Sequence, residues 1–347
     1  MITLCAECRR PMDGPVCTFC GSLVSITTMP DMAPPRARRP RRATRTALPV
    51  SATPPATEPA LRVISLGWGV QSFTMAVMSA LGDLPAVEYA IHSDTRWEKE
   101  NTYTFAEQWT PWLIEHGVNV VTVHAPVSAD LSDANSNNVL IPAYTLSPKG
   151  LDPAAYVDGV DYSGDMGSAI EYQDGQLRRQ CTKRWKIEPI RRFLLAECRR
   201  LNIDPAPGTI EEWLGITMDE WQRAKDADVQ YIQHRYPLLE ARLTRQDCVN
   251  YLQRHSIPVP DKSACKFCPY QNMGAWRAQR RAGGKDWQTA VEIDNLIRDR
   301  RPPYPLYISR ARLPLVEAVS LPEDSGYTQA SMIEEQADDP CGPHCML

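Results

Sequence analysis

Apolar positions follow two periods along most of the chain. Residues 61–66 form a short apolar run ending in glycines, and 72–81 then carry apolar side chains at helical spacing. The alternation continues with a strand-like stretch at 87–92, a helical one at 101–116 and a strand-like one at 118–124. A helix over 185–201 and a strand over 209–216 come later. Strands alternating with helices predict an α/β doubly wound fold, a mostly parallel sheet covered on both faces. Between 126 and 180 the periodicity gives way to Gly, Asn, Asp and Ser, which reads as an excursion over the active face. No internal repeat is visible.

Composition adds limits. With 347 residues, 43% apolar and 23% charged, the chain is globular overall. The net charge of −4 excludes a global basic field that would attract nucleic acid. No apolar run approaches the roughly 18 residues of a membrane span, and the start MITLCAEC lacks a basic, apolar leader. The expectation is a cytoplasmic protein without membrane contact. In a reducing compartment its eleven cysteines read as metal ligands, cluster ligands or nucleophiles before disulfides. Four regions follow: 1–23, a small Cys-rich N-terminal module; 24–60, a disordered Pro/Arg-rich linker; 61–325, the α/β domain; 326–347, an acidic, mobile tail. The linker's arginines at 36–45 read first as a solvated tether, with contact to nucleic acid or an acidic partner as the other reading.

Cys5-x2-Cys8 and Cys17-x2-Cys20 are two hooks separated by eight residues. Each hook can give two thiolates to one tetrahedral zinc, and metal binding would supply the folding energy of so short a module. A protein or nucleic-acid partner and a purely structural role are both open for it.

Ser65-Leu-Gly67-Trp-Gly69-Val-Gln71-Ser72 lies between a strand and a helix. Glycines there permit a tight turn at a helix N-terminus, a place suited to an anion. The spacing fits neither the nucleoside-triphosphate loop nor the dinucleotide fingerprint. Further along come His92-Ser-Asp94-Thr95-Arg-Trp-Glu98, Thr102-Tyr103-Thr-Phe105, Cys181-Thr-Lys183-Arg184-Trp-Lys186-Ile-Glu188-Pro189, Gly215-Ile-Thr217-Met-Asp219-Glu220-Trp-Gln-Arg223 and Cys265-Lys-Phe-Cys268-Pro269. Together, from residue 61 to about 276, these resemble the phosphoadenylyl sulfate (PAPS) reductase family of the adenine nucleotide α-hydrolase (PP-loop) superfamily.

The resemblance implies a nucleotide on Ser65, Gly67, Gly69, Gln71, Ser72, Asp94 and Thr95. Lys183, Arg184 and Arg223 would meet the anionic ends, with Lys186 beside the chemistry. Basic residues at a helix start oppose the dipole, which a nearby anion would explain; an ordinary basic helix start, and an i, i+3 pair of Glu220 with Arg223, are the plainer readings. ATP-cleaving relatives carry an acidic residue where Gln71 stands, so the neutral amide counts against pyrophosphatase chemistry. Cys181, Cys265 and Cys268 repeat a layout that in iron–sulfur adenylyl sulfate reductases holds a [4Fe–4S] cluster. The adjacent cysteine of that layout is Gln180 here, which leaves Cys248 as first candidate for a fourth ligand. A buried helix-face cysteine is its alternative, and zinc remains open for the set.

Cys341-Gly-Pro-His344-Cys345 resembles the closing segment of sulfonucleotide reductases. There the cysteine attacks the sulfate sulfur, and a thioredoxin-like thiol reductant later frees sulfite. Cys341 would be the nucleophile, with His344 assisting and Cys345 extra. The functional expectation is a sulfonucleotide reductase. An ATP-dependent sulfurtransferase acting on nucleic acid, and a nucleotide-binding protein without turnover, are the alternatives.

Overall fold

The computed structural model describes residues 3–4, 11–12, 58–125, 131, 139–148, 172–302 and 304–322. Cys5, Cys8, Cys17, Cys20, Cys341, His344, Cys345 and most of the linker lie outside the described residues. Strands β1 (Thr3–Leu4) and β2 (Pro11–Met12) pair antiparallel, Thr3 opposite Met12. From residue 61 the order is β3 (Leu61–Ser65), α1 (Val70–Leu81), β4 (Tyr89–Asp94), α2 (Glu100–Glu115) and β5 (Val120–His124). Then come β6 (Tyr144–Pro148), β7 (Tyr172–Gln176), α3 (Glu188–Arg200), β8 (Ile210–Trp213) and β9 (Ile232–Arg235). The chain continues through α4 (Pro237–Glu240), α5 (Arg245–Arg254), α6 (Met273–Ala282), α7 (Gly284–Ile297), β10 (Leu306–Tyr307) and α8 (Leu315–Ala318).

These elements form two compact units. The first takes 1–93, 105–124 and 189–262; the second takes 94–104, 125–188 and 263–347. The first is built on a five-stranded sheet of order β5-β4-β3-β8-β9. β3 pairs parallel with β4 and with β8, and β8 pairs parallel with β9. The α/β, mostly parallel architecture expected from the alternation is present. Two cores cover the sheet: Phe73, Val77, Leu113 and Leu252 in one, Leu61, Val63, Phe193 and Leu194 in the other. β3 leads outward to β4 and β5, and the chain later returns to lay β8 against its other edge. The β3/β8 boundary is therefore the topological switch point, where open α/β sheets bind ligands at the strands' carboxyl ends.

The second unit contains an antiparallel sheet of order β10-β6-β7. Leu140, Trp185, Phe267, Trp276, Ile293 and Ile308 are in its core. Asp294, 1% exposed, ties this core to the backbone: its carboxylate accepts from the Ile308 and Leu315 amides and pairs with Arg298. Among the described residues no helix is long and apolar enough to cross a membrane.

Candidate functional site

The loop after β3 stands at the switch point of the first unit. Gly69 is extended (φ −84°, ψ 168°) and caps α1 without a side chain, so it offers the first-turn amides of α1 no side-chain oxygen. α1 begins two residues before the predicted 72. The Gly67 amide is turned inward, donating to Ser72 Oγ at 3.2 Å, while Ser72 Oγ donates to the Gly69 carbonyl at 3.3 Å. Between the glycines Trp68 is left-handed (φ 57°), a conformation a bulky residue rarely holds. Phe73, His92 and Phe105 surround its ring, with centroids 6.0 to 6.4 Å away. His92 Nδ1 reaches the Leu66 carbonyl at 3.1 Å.

The turn after β8 presses on this loop. A Cβ on Gly215 would lie 2.8 Å from the Ser72 nitrogen and 3.1 Å from the Gln71 carbonyl carbon, so only glycine fits without moving backbone. Gln71, 8% exposed, donates through Nε2 to Glu220 Oε1 (3.3 Å) and accepts at Oε1 from Arg245 Nη1 (3.3 Å). Glu220 also pairs with Arg223, itself 5% exposed. Arg223 thus balances a buried carboxylate, the i, i+3 pair that the sequence also suggested. Cys248 lies in this unit, fully buried on α5 near the Thr74 side chain, and burial pushes its thiol up to about 12.

The second unit holds the other sequence-predicted side chains. Asp94 closes β4, and its Oδ1 accepts from the Arg96 amide (2.7 Å) and the Tyr103 hydroxyl (2.8 Å). Burial, then Asp94, raises the Tyr103 phenol. Thr95 Oγ1 donates to Glu98 Oε1 at 3.2 Å and lies 3.6 Å from Cys265 Sγ. A bridge pairs Glu98 with Cys265, bounded by Lys266 N–H to Trp97 O at 2.8 Å and Lys99 N–H to Ala264 O at 3.3 Å. Lys186 Nζ is 3.6 Å from the buried Glu98 carboxylate, whose Oε2 accepts no hydrogen bond among the described residues. Burial works against the Lys186 charge, but Glu98 and the thiols of Cys265 and Cys181 outweigh it and raise its pKa.

Lys183, Arg184 and Lys186 sit on a π-helical turn, Thr182–Ile187. Pro189 has no amide to give the Trp185 carbonyl, and its ring crowds that oxygen, so the turn widens; the Glu188 amide reaches back five residues to Lys183 O. The three cations diverge. Lys186 points to Glu98, Arg184 pairs with Glu188 at 3.3 Å, and Lys183 is exposed. Cys181 precedes this turn, its amide on Leu140 O at 2.9 Å. The Cys268 amide donates to Cys265 O at 3.1 Å, closing the hook. Burial raises both hook thiols, Cys268 to about 11; Glu98 adds to the rise at Cys265 and Lys186 opposes it. Cys181 adds to the rise at Cys268.

The metal expectation was a [4Fe–4S] cluster or zinc on Cys181, Cys248, Cys265 and Cys268. Among the described residues no group of three or more His, Cys, Asp or Glu is arranged to hold a metal ion. Cys248 belongs to the first unit, and Cys181, Cys265 and Cys268 belong to the second.

Sequence reasoning overlooked Trp68, Glu98 and Arg245 as participants. The first sits between two glycines, the second ends the quoted Asp-Thr segment, and the third opens a helix behind a Thr-x-x-Asp capping box.

No protein-family model matches the chain, and no curated protein matches it. Among solved structures it is similar to phosphoadenylyl-sulfate (PAPS) reductase from Candida auris in a phosphate complex. That pair shares 13% identity over 59% of this chain and 76% of the other, with a TM-score of 0.32.

Proposed function

We propose that the chain is an adenine-nucleotide enzyme of sulfur chemistry, a sulfonucleotide reductase in type. The nucleotide's phosphates would rest on 67–72, and Cys181, Cys265 and Cys268 would serve as sulfur-handling thiols. The observation that carries the reading is the loop at the β3/β8 switch point, with an uncapped helix start and Gly215 packed onto it. The sequence resemblance supplies the sulfur chemistry. Gln71 is held by a carboxylate on one side and a guanidinium on the other. A neutral amide so held binds a phosphate neighbourhood without chelating the metal that ATP cleavage requires.

In this reading the α1 amides orient the ligand. Lys186 keeps its proton beside Glu98 and the thiols. Cys341, with His344, remains the proposed nucleophile: its thiolate would bond to the sulfate sulfur and the nucleotide phosphate would leave. A thioredoxin-like dithiol would then reduce the S-sulfocysteine and release sulfite. Zinc on Cys5, Cys8, Cys17 and Cys20 remains a proposal for the N-terminal module.

Titration calorimetry of the full chain with adenylyl sulfate, its 3′-phosphorylated form and ATP tests this. The expected result is tighter binding of a sulfonucleotide than of ATP, and no release of pyrophosphate. Equal binding of all three, with ATP cleaved to AMP, would replace the reading with an ATP-dependent sulfurtransferase.

A further inference from the structure

Of the basic side chains around Gln71, one has its charge already matched and one has no ion-pair partner among the described residues. Arg223 is buried and paired with Glu220. Arg245 is half-exposed, and its single side-chain partner among the described residues is the neutral amide oxygen of Gln71, at 3.3 Å. Its backbone amide is separately taken by Asp219 Oδ2 at 2.5 Å, which fixes the start of α5 whatever the side chain does. The Thr244–Asp247 capping box secures the same turn. Arg245 is thus the first helical residue of α5, where a cation opposes the helix dipole. Its guanidinium carries five N–H donors and stays charged at any working pH. One of those donors is used among the described residues.

We infer that Arg245 reads the terminal anionic group, phosphate or sulfate, that follows the α-phosphate of the bound nucleotide. Gln71 is its support: with its amide nitrogen on Glu220, the amide oxygen faces Arg245 and holds the guanidinium at the loop. The planar fork suits two oxygens of a tetrahedral anion, and such charge-assisted bonds are the strong ones. The inference rests on the proposed nucleotide reading and assigns its specificity to a residue outside the loop.

The test is binding of AMP, ADP and adenylyl sulfate to the wild-type chain, Arg245→Gln and Arg245→Lys, with melting curves as a control on folding. AMP lacks the terminal group, while ADP and adenylyl sulfate carry phosphate and sulfate at the same place. Arg245→Gln should lose about ten- to a hundredfold in affinity for the ligands that carry the group, with AMP unchanged. Arg245→Lys, keeping the charge without the fork, should fall between. Loss for ADP alone makes Arg245 a phosphate reader, and loss for adenylyl sulfate alone a sulfate reader. A folded Arg245→Gln or Arg245→Lys chain that keeps the full preference over AMP overturns the inference and leaves the nucleotide reading standing. Failure of the wild-type chain to bind any of the three overturns both.

Discussion

Trp68 holds a left-handed backbone (φ 57°) although its ring is among the largest fully buried side chains. An L-residue with a bulky Cβ pays about 1–2 kcal/mol for that conformation, so packing must supply more than it costs. Phe73, His92 and Phe105 provide it. Trp68→Ala keeps the strain and deletes the packing, and should cost about 3–5 kcal/mol in chemical denaturation. Trp68→Gly deletes both. It should therefore be the more stable of the two variants by about 1 kcal/mol, the reverse of the order at an ordinary φ. A glycine variant less stable than the alanine would show that the backbone of the loop relaxes without its ring.

At the scale of elements, the loop's shape depends on its neighbour across the switch point. The turn after β8 comes so close to 71–72 that a methyl group on Gly215 would strike backbone, not a flexible side-chain tip. Gly215→Ala should destabilise by about 1–3 kcal/mol, the usual cost of overpacking, and should weaken nucleotide binding by moving Gln71 and Ser72. Unchanged calorimetric affinity in a folded Gly215→Ala chain would detach the loop from the site. The elements legible in the sequence are those with strong local patterns: β3, α1, β4, α2 and β5 lie within a few residues of their expected bounds. The antiparallel sheet was not legible, because β10 is two residues long and its partner β6 is far away in sequence. β9 was missed because Ile232–Arg235 carries Gln, His and Arg in a strand of four. The π-helical turn was hidden because the helix expected over 185–201 runs through Pro189, which acts on the turn before it. The candidate loop was legible as glycine spacing, but the Glu220–Gln71–Arg245 arrangement depends on three segments meeting, which no spacing records.

Across the whole molecule, buried titratable groups set how stability responds to pH, and in this chain several point the same way. His234 in β9 places Nδ1 2.8 Å from the Lys225 carbonyl and Nε2 3.6 Å from Glu212 Oε2. Burial alone would lower its pKa, but Glu212 and the Lys225 carbonyl outweigh burial, and the net shift is upward. A group that binds its proton more tightly when folded stabilises the fold fully below its unfolded pKa, about 6.5 for histidine. That contribution is lost as pH rises through the higher folded value. Denaturation of the full chain between about pH 5 and about pH 8 should therefore show stability falling on the alkaline side of the histidine range. His234→Gln should flatten that fall while keeping a hydrogen bond to Lys225 O within reach. Buried thiols continue the trend: Cys268 is raised to about 11 and Cys248 to about 12, both by burial. They too are folded-state proton holders, so stability should decline again above about pH 8.5, where an unfolded cysteine ionises. Cys248→Ala should remove part of that second decline, at the cost of a small cavity beside Thr74. If the His234→Gln curve keeps the full wild-type slope through the neutral range, His234 is not the group responsible, and Glu212 is balanced in the fold by something other than its imidazole neighbour.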